Sequence, residues 1–276
     1  MHSIPLPTTI AFTADEKNAK RGQLVVEPCY AGYGTTLGNA LRRVLLSSLT
    51  GAAITAVKIK GVQHEFSTVP HIREDVVEIL LNLKQLRLKV HSDEPVTLTL
   101  KVSGEREVKA GDIEAHAGVD IANPDHVIAT ITDKAGALDM EFTAQRGRGY
   151  VPVESRDDRS QLPIGTIAID AVYTPVVNVS YHTEHARVGK MITYDRLLLD
   201  VETDGTIQPE EAIHQAAELL INHFQVILSG PQQESDSALL ENTEKEEESS
   251  EEVKETAKED TSHVEDAEEK KEEDVS

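Results

Sequence analysis

The stretch "EPCYAGYGTTLGNALRRVLLSSL", residues 27–49, sets Gly32, Gly34 and Gly38 between an apolar run and a helical pattern. A loop that cradles phosphate has this look, because closely spaced glycines let backbone N–H groups approach an anion at a helix start. The remaining requirements are not met. A dinucleotide site wants an acid about 20 positions on for the ribose, where this chain carries Val57, Lys58, Ile59 and Lys60, and a mononucleotide loop wants Gly-Lys before Ser or Thr, where it carries Gly38-Asn39. The glycines therefore read as structural. Gly32 and Gly34 permit a tight strand-to-helix turn, and Gly38, costing a helix about 1 kcal/mol relative to Ala, implies close approach by another backbone.

Other constellations carry less. His182 and His185 flank Glu184 in "YHTEHAR", but in a strand or loop that spacing does not converge two imidazoles on a metal as a helical His-Glu-x-x-His would. Asp157 and Asp158 lie in the polar loop "ESRDDRSQLP" and read as solvated. Arg146, Arg148 and Tyr150 in "QRGRGYVP" are too few to mark a nucleic-acid surface. The single cysteine, Cys29, excludes an internal disulfide or a multi-cysteine cluster from this chain and reads as a small buried apolar residue. No metal and no cofactor is expected on this chain. Arg42 and Arg43 stay open between a solvated flank and a fork for a partner's carboxylates or carbonyls.

Strand-like alternation marks "GQLVVEP", "AITAVKIKGV", "LRLKV", "PVTLTLKV", "GALDMEFTAQ", "IGTIAIDAVY", "VVNVSY" and "RLLLDVETDG". Three segments follow the helical period instead. Leu37, Leu41, Val44, Leu45 and Leu49 form the stripe of the first, with Thr35 or Thr36 as cap and Gly51 as its close. The second spans residues 73–86, opens with Glu74 and Asp75, and is so apolar at Val76, Val77, Ile79, Leu80, Leu81 and Leu83 that it should be covered on most sides. The third starts at Pro209, behind the weak cap Gln208, and carries Ile213, Ala216, Ala217, Leu220, Phe224, Ile227 and Leu228.

An amphipathic helix near each end of a strand-rich middle predicts an α+β fold. A discontinuous domain of sheet plus helices, residues 1–50 and 175–230, would be interrupted by a strand-rich inserted domain, residues 51–174. The third helix has more apolar surface than one small sheet needs, which points to two-fold self-association.

The formal net charge of −22 is uneven. Residues 231–276 hold 19 acidic and 5 basic side chains, net −14, which leaves 30 acidic and 22 basic before them, net −8. So charged a segment with so few branched or aromatic side chains is expected to be a disordered, solvating tail. With no long apolar run and no basic leader, the chain reads as cytoplasmic and not membrane-bound.

"GYGTTLGNALRRVLLSSL", "GVQHEFSTV", "EDVVEILLNLK", "QRGRGYVP", "IDAVYTPV" and "DGTIQPEEAI" occur in an order, across residues 28–228, that resembles the bacterial RNA polymerase alpha subunit. The resemblance implies a non-catalytic homodimeric scaffold for the beta and beta-prime subunits, with omega in the same complex and DNA met through the assembled enzyme. It implies that Arg42 and Arg43 face beta, with Arg43 the main contact, and that Lys84 and Ile169 face beta-prime. Leu37, Leu41, Val44, Leu45, Ile213, Leu220, Phe224 and Ile227 would dimerise. Family members usually end in a small helical domain that binds DNA; the acidic residues 231–276 do not resemble it, and DNA would repel them. The alternatives are a free-standing acidic dimeric binding or chaperone-like protein and, against the residues, a nucleotide-binding enzyme.

Overall fold

A computed structural model describes residues 4–156, 163–188 and 191–230. Asp157, Asp158 and the tail 231–276 lie outside the described residues. The chain divides into two units, Met1–Asn222 and His223–Ser276, and of the second only residues 223–230 are described.

In chain order the elements are β1 Thr9–Asp15, β2 Asn18–Cys29, α1 Tyr33–Ser47, β3 Thr50–Ile59, α2 Val76–Lys84, β4 Leu88–Val90 and β5 Val96–Ser103. There follow β6 Arg106–Lys109, β7 Val119–Ile121, β8 Val127–Ile131, β9 Ala137–Arg148, β10 Tyr150–Val151, β11 Thr166–Ala168, β12 Ala171–Val172, β13 Val176–Val188, β14 Met191–Thr203 and α3 Pro209–Ser229. The fold is mixed α+β. One antiparallel sheet runs β1-β2-β14-β13, so strands from both ends of the described sequence lie side by side. A larger sheet runs β5-β9-β3-β4-β7, with β11 also on β3, and two short pairs, β10-β12 and β6-β8, complete the set.

Each sheet owns a separate apolar cluster. Leu24, Val26, Val179, Leu197, Leu199 and Val201 of the first sheet pack with Leu45 and Leu49 from α1 and its exit, and with Ala212, Ile213 and Ala216 of α3. In the second, period-two alternation turns Val96, Leu98, Leu100 and Val102 of β5 and Leu138, Met140, Phe142 and Ala144 of β9 to the same side, in register Leu98↔Phe142 and Leu100↔Met140. Val76, Ile79 and Leu83 of α2 close over that cluster.

Several local expectations need correction. Helix α1 is capped not by Thr35 or Thr36 but by Gly32, which takes the left-handed conformation at φ 83° and makes no side-chain cap. Its N–H instead donates to Asp195 Oδ2 at 2.8 Å, so a carboxylate from β14 satisfies one orphan donor and meets the positive end of the helix dipole. Gly51 does not close α1, which ends at Ser47; it lies in β3, where a Cβ would collide with the Tyr173 carbonyl oxygen.

Helix α2 starts later than expected. Asp75 is its cap, accepting from the Glu78 N–H at 2.7 Å, while Glu74 reaches across to the Thr130 N–H at 2.6 Å and Thr130 Oγ1 at 2.9 Å on β8. Nor is α2 covered on most sides, since Val77 and Leu81 are exposed. Strands β1, β6, β7, β8 and β10 carry no clear period-two signal: β6, β7 and β10 span only two to four residues, β1 is exposed along nearly its whole length, and β8 buries three of its five residues without alternating.

The close approach inferred at Gly38 exists, but side chains make it rather than a backbone. A Cβ there would lie 2.6 Å from Tyr181 Cδ2 and 3.0 Å from Leu197 Cδ1, and one at Gly34 would lie 2.9 Å from Thr183 Cγ2. Gly38→Ala should gain about 1 kcal/mol of helix propensity yet lose about 1–3 kcal/mol to overpacking against the Tyr181 ring. A lowered urea midpoint is expected; a raised one would show that α1 has room to lift.

Candidate protein-docking surfaces

Packing divides the α1 stripe in two. Gly34, Gly38, Leu45 and Leu49 face the sheet, Leu41 and Val44 are half-buried, and Leu37 is 38 % exposed. Leu45 is therefore a core residue, not a surface contact, and so is Ile213 of α3 at 8 % exposure. Leu220 is half-buried, whereas Phe224 and Ile227 stand 61 % and 75 % exposed, with Val226 and Leu228 exposed beside them in sequence. Large apolar side chains grouped this way on a surface mark an interaction site.

Arg42 and Arg43 are both exposed, and among the described residues neither guanidinium forms an ion pair. The turn of α1 that carries them is held firmly: Ser47 Oγ donates to the Arg43 carbonyl at 2.8 Å, and Thr174 Oγ1 donates to the Leu46 carbonyl at 3.3 Å, so carbonyls of the last turn have partners.

Lys84 and Ile169 are brought together, though not as two surface side chains. Ile169 is 3 % exposed, inside the apolar cluster under α2, so a direct contact through its side chain is excluded by burial. What joins the two positions is Asp170. Its Oδ2 accepts from Lys84 Nζ at 2.9 Å and its Oδ1 from the Val153 N–H at 3.0 Å. The backbone beside it is clamped as well, because the Ile169 N–H donates to the Thr55 carbonyl at 2.9 Å and the Arg156 guanidinium donates to the carbonyls of both Thr55 and Ile169. The Val153 N–H foremost, then the Lys84 ammonium, hold the Asp170 carboxyl below its ordinary 3.8.

The remaining candidates disperse. Arg146 pairs with Asp93 at 2.7 Å and Arg148 Nε donates to Thr50 Oγ1 at 3.2 Å, so the two arginines serve different neighbours, while Tyr150 is exposed. His182 sits 3.9 Å from Glu184 on β13, and among the described residues no three His, Cys, Asp or Glu side chains group as metal ligands would. Cys29 is buried, and desolvation, with the Asp195 charge, pushes its thiol pKa up. A concavity of about 520 Å³ on the first sheet is lined by polar groups that satisfy one another, Arg21 on Glu202 at 2.9 Å and Gln23 on Asp200 at 2.8 Å. These are registered cross-strand pairs of β2 and β14.

Asp170 and Asp195 escaped the sequence reading. A signal existed for the first, since a lone acid within the apolar "IAIDAVY" must find a partner if it is not to be left unpaired in a desolvated place.

The described residues thus combine exposed arginines and exposed apolar side chains on an α+β frame, which are features of a surface that meets other proteins. Comparison with known proteins agrees. Residues 57–174 match the family described as RNA polymerase Rpb3/RpoA insert domain. The chain is 50 % identical over 226 residues to the DNA-directed RNA polymerase subunit alpha of Symbiobacterium thermophilum, covering 82 % of this chain and 71 % of that protein. It is 50 % identical over 227 residues to that of a Roseiflexus species, covering 82 % and 68 %, and 48 % identical over 231 residues to that of Oceanobacillus iheyensis, covering 84 % and 72 %. The chain belongs to the family of bacterial DNA-directed RNA polymerase alpha subunits. Among the described residues, no helix is long and apolar enough to cross a membrane.

The pH dependence follows from Asp170. Its folded pKa lies below the unfolded value, so it adds stability above that value which is lost as pH falls through the folded one. Between about pH 5 and pH 3, Asp170→Asn should therefore lose less Tm than the unaltered chain. Equal slopes in a thermal melt series would contradict the assignment.

Proposed function

We propose that this chain is the non-catalytic alpha subunit that, as a homodimer in the cytoplasm, forms the platform on which the beta and beta-prime subunits of DNA-directed RNA polymerase assemble. Omega joins the same complex, DNA is met through the assembled enzyme, and the chain needs no cofactor of its own. The observation that carries this reading is identity of about one half along four fifths of the chain to proteins named as that subunit. Those names give no support to a free-standing chaperone-like protein.

In this reading residues 1–50 and 175–230 are the dimerisation domain and 51–174 the inserted domain, a division supported by the two separate apolar clusters and the shared sheet. Leu37, Phe224 and Ile227 supply exposed apolar area to the twofold contact, with Leu41, Val44 and Leu220 at its margin; Leu45 and Ile213 act from beneath by fixing the helices. Arg42 and Arg43, without an ion pair among the described residues, face beta, where a planar guanidinium can fork onto carboxylates or carbonyls. Lys84 faces beta-prime together with the segment that Ile169 anchors. Because both chains of a twofold dimer carry both surfaces, one copy uses its arginines and the other its lysine, and identical chains take unequal places.

A tagged chain expressed in its own cell should recover both large polymerase subunits, and recovery of neither would overturn the reading. Arg43→Ala should weaken beta capture about tenfold, as expected for an interface arginine, while sedimentation shows an unchanged dimer. A dissociated or unfolded variant would mean that Arg43 serves the fold instead.

A further inference from the structure

The lysine assigned to beta-prime is not a free cation. Lys84 ends α2, where a positive charge suits the helix dipole, and its ammonium is taken by Asp170 at 2.9 Å while both side chains remain about a third exposed. Asp170 is in turn held by the Val153 N–H and by the clamped backbone of Ile169. The surroundings are apolar and open. On α2, Val77, Leu81 and Lys84 follow one another at i, i+4 and i+7 on one face, and Val77 and Leu81 are 37 % and 53 % exposed. Two residues on from Asp170 in the chain, Val172 is paired in register with Tyr150, both exposed.

An ion pair already closed inside the chain, set between exposed apolar and aromatic side chains, has the form of the centre of a docking surface rather than a charge awaiting an acid. We infer that Asp170 is a positioning residue for the beta-prime contact, holding Lys84 and the 150–156 segment in one fixed arrangement that an apolar, hydrogen-bonding segment of that subunit covers. The inference rests on the reading that Lys84 faces beta-prime. It adds that Lys84 works only through its partner within the chain. A lone Lys84, or a lone Asp170, would then be worse at the covered interface than neither, since burying an unpaired charge costs more than the pair gains.

The test is a double-mutant cycle on the full chain, reading beta-prime capture by the preassembled alpha–beta complex, with beta capture and thermal melting alongside. Asp170→Ala and Lys84→Ala should each weaken beta-prime capture about tenfold with beta capture unchanged. The double variant should capture beta-prime better than either single one, and Asp170→Glu, which keeps a carboxylate within reach of Lys84, should recover most of the loss. Should Asp170→Ala fail to fold, Asp170→Asn, which retains an acceptor for the Val153 N–H but no charge, replaces it in the cycle. If Lys84→Ala loses capture while the Asp170 variants keep it, or if the two losses simply add, the inference is overturned and the beta-prime reading stands. If every variant captures beta-prime normally, both fall.

Discussion

The structure depends on how closely α1 can lie on the strands beneath it. Gly34 and Gly38 have no side chains to hold the helix off, so Tyr181, Thr183 and Leu197 of β13 and β14 come up against its backbone. Asp195, from the same sheet, fixes the start of the helix by taking the Gly32 N–H. With depth and direction set, rotation about the helix axis follows: Leu45 and Leu49 go inside, while Leu37 and the two arginines face out. Loss of that fit would change which residues meet a partner as well as how stable the domain is, because surface and core are cut from one apolar stripe.

The same division recurs on the other helices. Helix α3 commits Ala212, Ile213 and Ala216 to the core and exposes Phe224 and Ile227 further along; α2 commits Val76, Ile79 and Leu83 and exposes Val77 and Leu81. Each helix thus carries more apolar surface than its own sheet consumes. For a subunit that assembles, this is economical: the helix that stabilises the fold also presents the residues that bury next, and burial of apolar area drives both steps.

Much of this was legible from residue patterns. The three helices, the main alternating strands and the mixed α+β class follow from periodicities of 3.6 and 2, and the burial of Cys29 from its being the single cysteine. The glycine turn could be denied a nucleotide role because the acid and the lysine such sites require are absent. What stayed hidden depends on three-dimensional encounters. Asp195 caps α1 from 163 residues away in the chain, which a local cap signal at Thr35 or Thr36 cannot foresee. A single apolar stripe does not say where core ends and surface begins, so Leu45 and Ile213 were read with the exposed residues they adjoin. The Ile169 side chain is buried while its neighbour Asp170 is partly exposed, and only the fold shows that Lys84 and Val153 converge there.

The central claim is that the apolar side chains left outside by this packing are covered by a second copy of the chain. Sedimentation equilibrium of the purified full chain across the micromolar range tests it most directly. A species of twice the 30.2 kDa chain mass, folded and persisting on dilution, is the predicted result. A well-folded species of single chain mass at every concentration would contradict it.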